Sequence, residues 1–147
     1  MVWIGAVHTS DKRHQLANKI LKNLLTSSQA NQLFLSDYIF NEIINNITNK
    51  QKSKNITNDE RKKIITNIAT SIYNSRYVKI LKVSRFHIGT AFEYMLKYPD
   101  IFSSLTDWSS LILMKENKIS VIKTLDPDFM TITQRLPEFK QIQVCRF

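Results

Sequence analysis

The side chains in this sequence best placed to do chemistry are carboxylates set against apolar segments. Glu42 follows Tyr38 by four residues and Ile39 by three in the run Ser36-Asp37-Tyr38-Ile39-Phe40-Asn41-Glu42-Ile43. Asp107 opens the largely apolar stretch Trp108 to Met114, and Asp126 ends the strand-like run Ile119 to Leu125. Only 12 of the 147 residues are Asp or Glu, so placing three of them against the chain's own core calls for a reason. Three carboxylates about 5 Å apart repel by roughly 3 kcal/mol per pair at an effective dielectric near 20. Summed, that is on the order of a small domain's whole stability. Such a cluster persists only if it is protonated, spread apart or neutralised by a cation. An all-oxygen donor set suits Mg2+ or Mn2+ rather than Zn2+.

Each acid also has a plainer reading. Asp107, beside Thr106, is suited to capping a helix, and a helix start tolerates an anion. Asp126 precedes Pro127 and fits a turn. Glu42 borders the inward stripe Ile39, Ile43 and Ile47, where a glutamate at the edge of an apolar face needs no partner. Other chemistries find little support. His8, His14 and His87 show no HxxxH spacing, Cys145 is alone, and there is no phosphate loop, GxSxG or GxGxxG.

The elements that would position these acids follow from hydrophobic spacing. Leu16, Ile20, Leu21, Leu24 and Leu25 predict an amphipathic helix over Asp11 to Ser27. Gln32 to Leu35 reads as a strand, with Ser36 as N-cap of a helix from Asp37 to Asn49. Lys50 to Thr57 is polar and basic and reads as a loop. Asn58 or Asp59 would cap a helix reaching Asn74, with Ile64, Ile65, Ile68 and Ile72 on one face. A strand is predicted over Tyr77 to Val83, a helix from Arg85 to Tyr98 ahead of Pro99, and a helix from Asp107 to Asn117. Ile119 to Leu125 and Lys140 to Val144 complete the strands. Strands alternating with helices predict an α/β fold with a mostly parallel sheet covered on both faces. In such a sheet ligands gather at the carboxyl ends of strands. Asp126 lies at one such end and Glu42 close to another.

Length and composition bound the rest. A chain of 147 residues with 43% hydrophobic content is expected to form a single domain over 1–147 with a real core. Lys and Arg outnumber Asp and Glu by 21 to 12, and the net charge of +9 favours a polyanionic partner such as nucleic acid. The densest basic group is Lys50, Lys52, Lys54, Arg61, Lys62 and Lys63, which equally suits a solvated face. A lone Cys145 excludes an internal disulfide and fits a reducing, cytoplasmic setting. No apolar window is long enough for a membrane span, and Met1 to Ala6 lacks the features of a secretory signal.

Taken together, these segments resemble the PIN domain family, a metal-dependent nuclease fold that includes the VapC toxins of toxin–antitoxin pairs. Val2-Trp3-Ile4-Gly5-Ala6 followed by Ser10 to Ala17 is similar to the family's first strand end and first helix. Ser36-Asp37-Tyr38 through Glu42 resembles the helix carrying its second acid, Leu105-Thr106-Asp107-Trp108 its Thr-Asp motif, and Thr124-Leu125-Asp126-Pro127-Asp128-Phe129 its last acidic turn. The resemblance implies a three-layer α/β/α fold with a central sheet of four to five short strands. It implies that Glu42, Asp107 and Asp126 are the catalytic and metal-holding residues, with Thr106 and Asp128 supporting them. It also implies a Mg2+ or Mn2+ site, single-stranded RNA as substrate, a small antitoxin as partner and homodimer formation, with the Ile-rich helices able to supply the contact.

One departure stands out. The family's first ligand is an Asp at the end of strand one, and with the chain opening at Met1-Val2 that Asp and most of the strand are expected upstream of residue 1. Asp11 is no substitute, since it falls at the start of the next helix. Without the first acid, weak metal binding and little cleavage are expected. The alternative function is then a catalytically inactive RNA-binding or scaffold protein that keeps the fold. A housekeeping RNA-processing nuclease of the same family is a third reading.

Overall fold

Leu33-Phe34-Leu35-Ser36 is buried at all four positions, as a strand with neighbours on both edges and helices on both faces requires. The computed structural model describes residues 2–4, 32–52 and 57–146. Five strands form its sheet: β1 (Val2–Ile4), β2 (Leu33–Ser36), β3 (Val78–Leu81), β4 (Val121–Thr124) and β5 (Gln143–Arg146). Their order is β3-β2-β1-β4-β5 and every neighbouring pair is parallel, as the alternation of elements predicted. Successive strands move outward from β1 to β3, then jump across the sheet to β4. Right-handed crossovers therefore send the connection from β2 to β3 over one face and that from β3 to β4 over the other. The reversal falls beside β1, the position where such sheets open a crevice at their carboxyl ends. Val2–Ile4, expected as the end of the first strand, holds this central place, and the residue after Ile4 is Gly5 rather than an acid.

The described residues also form five α-helices: α1 (Asp37–Lys52), α2 (Asn58–Ile68), α3 (Arg85–Lys97), α4 (Leu105–Glu116) and α5 (Asp128–Arg135). Ser36 caps α1 as expected, its hydroxyl accepting from the Ile39 N–H at 3.1 Å. The predicted cap of α2 is corrected: Thr57, not Asn58 or Asp59, forms a reciprocal capping box with Glu60. That helix passes into a π-helical turn over Ala69–Tyr73. Its isoleucines do not share one buried face, since Ile72 is buried and Ile65 exposed. Helix α1 runs on through Lys52 into what was expected to be loop. The helix predicted over Asp11 to Ser27 lies outside the described residues.

Helix α4 is the centre of the core. Every side chain from Asp107 to Met114 is buried, the pattern of a helix covered on all sides. Trp108 is fully enclosed and stacks on Tyr94 of α3 at 5.1 Å between ring centroids, with Phe139 tilted against both. A polar tie joins the same two helices. His87 accepts the Ser84 N–H at Nδ1 (2.8 Å), so its Nε2 carries the proton and donates to Glu116 at 2.5 Å.

Candidate active site

The carboxyl end of β4 and the first turn of α4 carry two of the three predicted acids, and each is held by its own backbone. Ser104 caps α4, and Asp107 sits three residues on, completing a capping box. Its Oδ2 accepts from the Ser104 N–H at 2.9 Å and from the Ser104 hydroxyl at 2.6 Å. Asp107 was expected to open the helix, but the helix begins at Leu105 and Asp107 stands in its third position. The capping role is thus real, yet it occupies only one oxygen. Oδ1 of Asp107 is buried without a hydrogen-bond partner among the described residues. An orphaned carboxylate oxygen in a buried position is costly unless something positive meets it.

Asp126 follows β4 by two residues and is only 5% exposed. Its N–H donates to Thr124 Oγ1 at 3.0 Å, and its Oδ1 accepts from the Asp128 N–H at 2.9 Å. The turn expected at Asp126-Pro127 therefore exists, and it launches α5, a helix the hydrophobic spacing did not announce. Burial, chiefly, raises the Asp107 carboxyl above its ordinary value, opposed by the bonds from Ser104; the charges of Asp126 and Asp128 push it further the same way. Asp126 and Asp128 are hence both within electrostatic reach of Asp107. Asp128, predicted only as a supporting residue, acts on Asp107 as a third charge.

Glu42 lies on the second turn of α1 and meets this group through a hydroxyl. Thr106 Oγ1 donates to Glu42 Oε1 at 3.1 Å, and Thr106 is the residue before Asp107. The Thr106 carbonyl in turn accepts from the Ser110 and Ser109 hydroxyls at 2.7 and 3.0 Å. Sequence reasoning missed Ser104 as the residue that holds Asp107, although the Ser-x-x-Asp spacing of a capping box was there to read. The predicted basic group is only partly described: Arg61, Lys62 and Lys63 are exposed on α2, where Lys62 and Lys63 line an open groove with Asp59, Thr66 and Asn67.

The donor set is all oxygen, and with the orphaned Oδ1 of Asp107 it fits a hard divalent cation in kind. It does not form a closed cage. Among the described residues no group of three or more His, Cys, Asp or Glu side chains is gathered tightly enough to hold a metal ion.

A parallel α/β sheet with acids at the carboxyl ends beside its reversal point defines the class of protein. The profile of the PIN domain family matches residues 1–133, and the chain belongs to that family. Among solved structures, the crystal structure of VapC20 from Mycobacterium tuberculosis, a sarcin-ricin loop cleaving toxin, is similar in fold. It superposes with a TM-score of 0.62 at 17% identity, covering 89% of this chain and 94% of that one. No curated protein matches. Among the described residues no helix is long and apolar enough to cross a membrane.

Proposed function

We propose that this chain is a divalent-metal-dependent endoribonuclease acting on single-stranded RNA, and the toxin of a cytoplasmic toxin–antitoxin pair. The observation that carries this reading is Asp107. It is buried, raised in pKa, hydrogen-bonded through one oxygen only, and within reach of Asp126 and Asp128. Membership of the PIN family supports the nuclease class, and the likeness of fold to VapC20 agrees with it.

Asp107, Asp126 and Glu42 would hold Mg2+ or Mn2+, which when bound supplies a nucleophile from water and neutralises charge on phosphate oxygens. Thr106 fixes one oxygen of Glu42, and the capping box fixes the rotamer of Asp107, so both acids are oriented before RNA arrives. The +9 charge draws in the RNA backbone. The partners under this reading are single-stranded RNA, a small antitoxin whose basic side chain the acids attract, and a second copy of the chain.

A second reading has its own support. Val2 to Gly5, the stretch similar to the family's first strand end, holds no acid, and the described carboxylates do not close into a three-residue metal group. Both favour a PIN domain that binds RNA without cutting it. Incubation of the chain with single-stranded RNA and Mn2+ separates the two. Cleavage that EDTA and Asp107→Asn both abolish supports the nuclease. Salt-sensitive binding without cleavage, unchanged by EDTA, overturns it in favour of the silent binder.

A further inference from the structure

We propose that Phe102 is a stacking platform for one base of single-stranded RNA, placed beside the acids so that it sets the register of the bound strand. The inference rests on the reading above in taking single-stranded RNA as the ligand. Among the described residues Phe102 is the most exposed of the large apolar side chains, at 91%. The turn that carries it is tightly held. The Ser103 N–H donates to the Ile101 carbonyl at 2.9 Å, closing a three-residue turn with Phe102 at its apex. Ile101 and Ser103 on either side are buried, and the Ile101 N–H donates to the Tyr98 carbonyl at 3.0 Å. One residue further back, Asp100 accepts from Arg135 of α5 at 2.7 Å, which pins the turn to a second helix. The backbone is thus fixed while the ring stays outside. Single exposed apolar side chains are common on surfaces, so what sets this one apart is its fixed place next to Asp107.

That place names the ligand. The hydroxyls of Ser103 and Ser104 lie 3.5 and 2.6 Å from Oδ2 of Asp107, so the turn runs straight into the capping box that holds the acid. Two residues of chain span at most about 7 Å, so the Cα of Phe102 stands no further than that from the Cα of Ser104. A strand with a phosphate at the acids therefore carries a neighbouring base to the ring. An aromatic ring takes any base by its face, and unpaired RNA offers that face where a duplex keeps it stacked. A protein partner would need an apolar patch around the ring. The exposed residues flanking Phe102 are instead Pro99, Asp100 and Ser104. The net charge of +9 supplies the attraction for the RNA backbone that a lone ring lacks. Because the turn is already fixed, little freedom is lost when the base arrives.

Fluorescence anisotropy of a short labelled oligouridylate with the full chain, in EDTA so that no strand is cut, tests the contact. Phe102→Ala is expected to weaken binding by about tenfold, the usual worth of one stacked base. Phe102→Leu keeps the apolar bulk without the ring and should lose about as much, whereas Phe102→Tyr should bind within about threefold of the natural chain. Binding of an RNA duplex should be the same in every variant, and so should the melting temperature of the protein, since the ring is 91% exposed. Equal binding of the single strand by the natural chain and Phe102→Ala overturns the proposal and assigns the ring to a protein contact. Full binding by Phe102→Leu overturns it as well, because bulk rather than stacking would then suffice. Cleavage in Mn2+ on the same samples keeps the two readings apart. A chain that binds through the ring and does not cut overturns the nuclease alone, and one that binds and cuts equally well without the ring overturns the stacking alone. A natural chain that binds no single strand overturns both.

Discussion

The Thr106 hydroxyl donates to Glu42 Oε1 at 3.1 Å, joining residues 64 apart in sequence and tying α1 to the first turn of α4. Thr106→Val keeps the shape of the side chain and removes the donor. The change is expected to cost about 1 kcal/mol in urea denaturation, the usual net worth of one such bond. If Glu42 acts with Asp107 on RNA, cleavage should fall further, by about tenfold, because the acid loses its fixed orientation. Cleavage that falls no more than the stability loss explains would place Glu42 outside the reacting group.

Asp107 makes the fold sensitive to pH in a direction opposite to that of most carboxylates. Its folded pKa lies above the ordinary 3.8, because burial outweighs the bonds from Ser104, with the charges of Asp126 and Asp128 adding to the rise. The stability linked to it is therefore fully present below about pH 4 and is lost as pH rises through the folded value. Asp107→Asn removes that titration. The difference in melting temperature between the natural chain and Asp107→Asn should shift in favour of the variant as pH climbs from 4 toward neutrality. Adding Mg2+ at neutral pH should stabilise the natural chain and leave the variant unmoved. A difference independent of pH would mean that Asp107 keeps an ordinary pKa.

How much was legible in the sequence depends on how local the signal is. The strands were readable because Leu33 to Leu35 and Val121 to Thr124 lie in short β-rich runs between polar punctuation, and their parallel pairing follows from the helices between them. The cap of α1 at Ser36 was readable for the same reason. Helix α5 was not, since eight residues with only Phe129, Ile132 and Thr133 buried give too short a period to detect. The place of Lys140 to Val144 was shifted for a related cause: Pro137 starts a 3-10 turn through Phe139, so β5 begins only at Gln143. At the site, the closeness of Asp107 and Asp126 to the core was legible in their apolar surroundings, but the hydrogen bonds that hold them were not. Ser104 donates to Oδ2 of Asp107 and the Asp128 N–H donates to Oδ1 of Asp126, and residue spacing alone does not separate the occupied oxygen of Asp107 from its orphaned one.

Tyr94 gives a second pH signature, on the alkaline side. Burial first, and then its bond to Glu138 at 3.1 Å, push its phenol from 10.0 up to about 12. A near-ultraviolet titration of the folded chain should show the Tyr94 phenol still protonated above pH 10. Because the folded value is raised, the stability it contributes is complete below pH 10 and disappears between about pH 10 and pH 12. Tyr94→Phe keeps the stack on Trp108 and should erase both the late titration and this alkaline loss. Retention of the late phase in that variant would assign it to another tyrosine.

The end of α4 carries a strain that one substitution should release. Lys118 has φ 54°, the left-handed region, where a side chain costs about 1 kcal/mol relative to glycine. It is held there by a Schellman ending: the Ile119 N–H reaches back to the Met114 carbonyl at 2.8 Å and the Lys118 N–H to that of Lys115 at 3.2 Å, while Ile119 is buried as the chain turns toward β4. Asn117 and Lys118 leave the motif without the glycine it favours. Lys118→Gly should raise stability by about 0.5 kcal/mol, the relief of strain being partly offset by the greater freedom of glycine in the unfolded chain. Lys118→Val should lower it by more than 1 kcal/mol, about the cost of forcing a β-branched residue to a positive φ. Both are read from urea midpoints at constant m-value, and a Gly variant less stable than the natural chain would show that Lys118 makes a favourable contact outweighing the backbone strain.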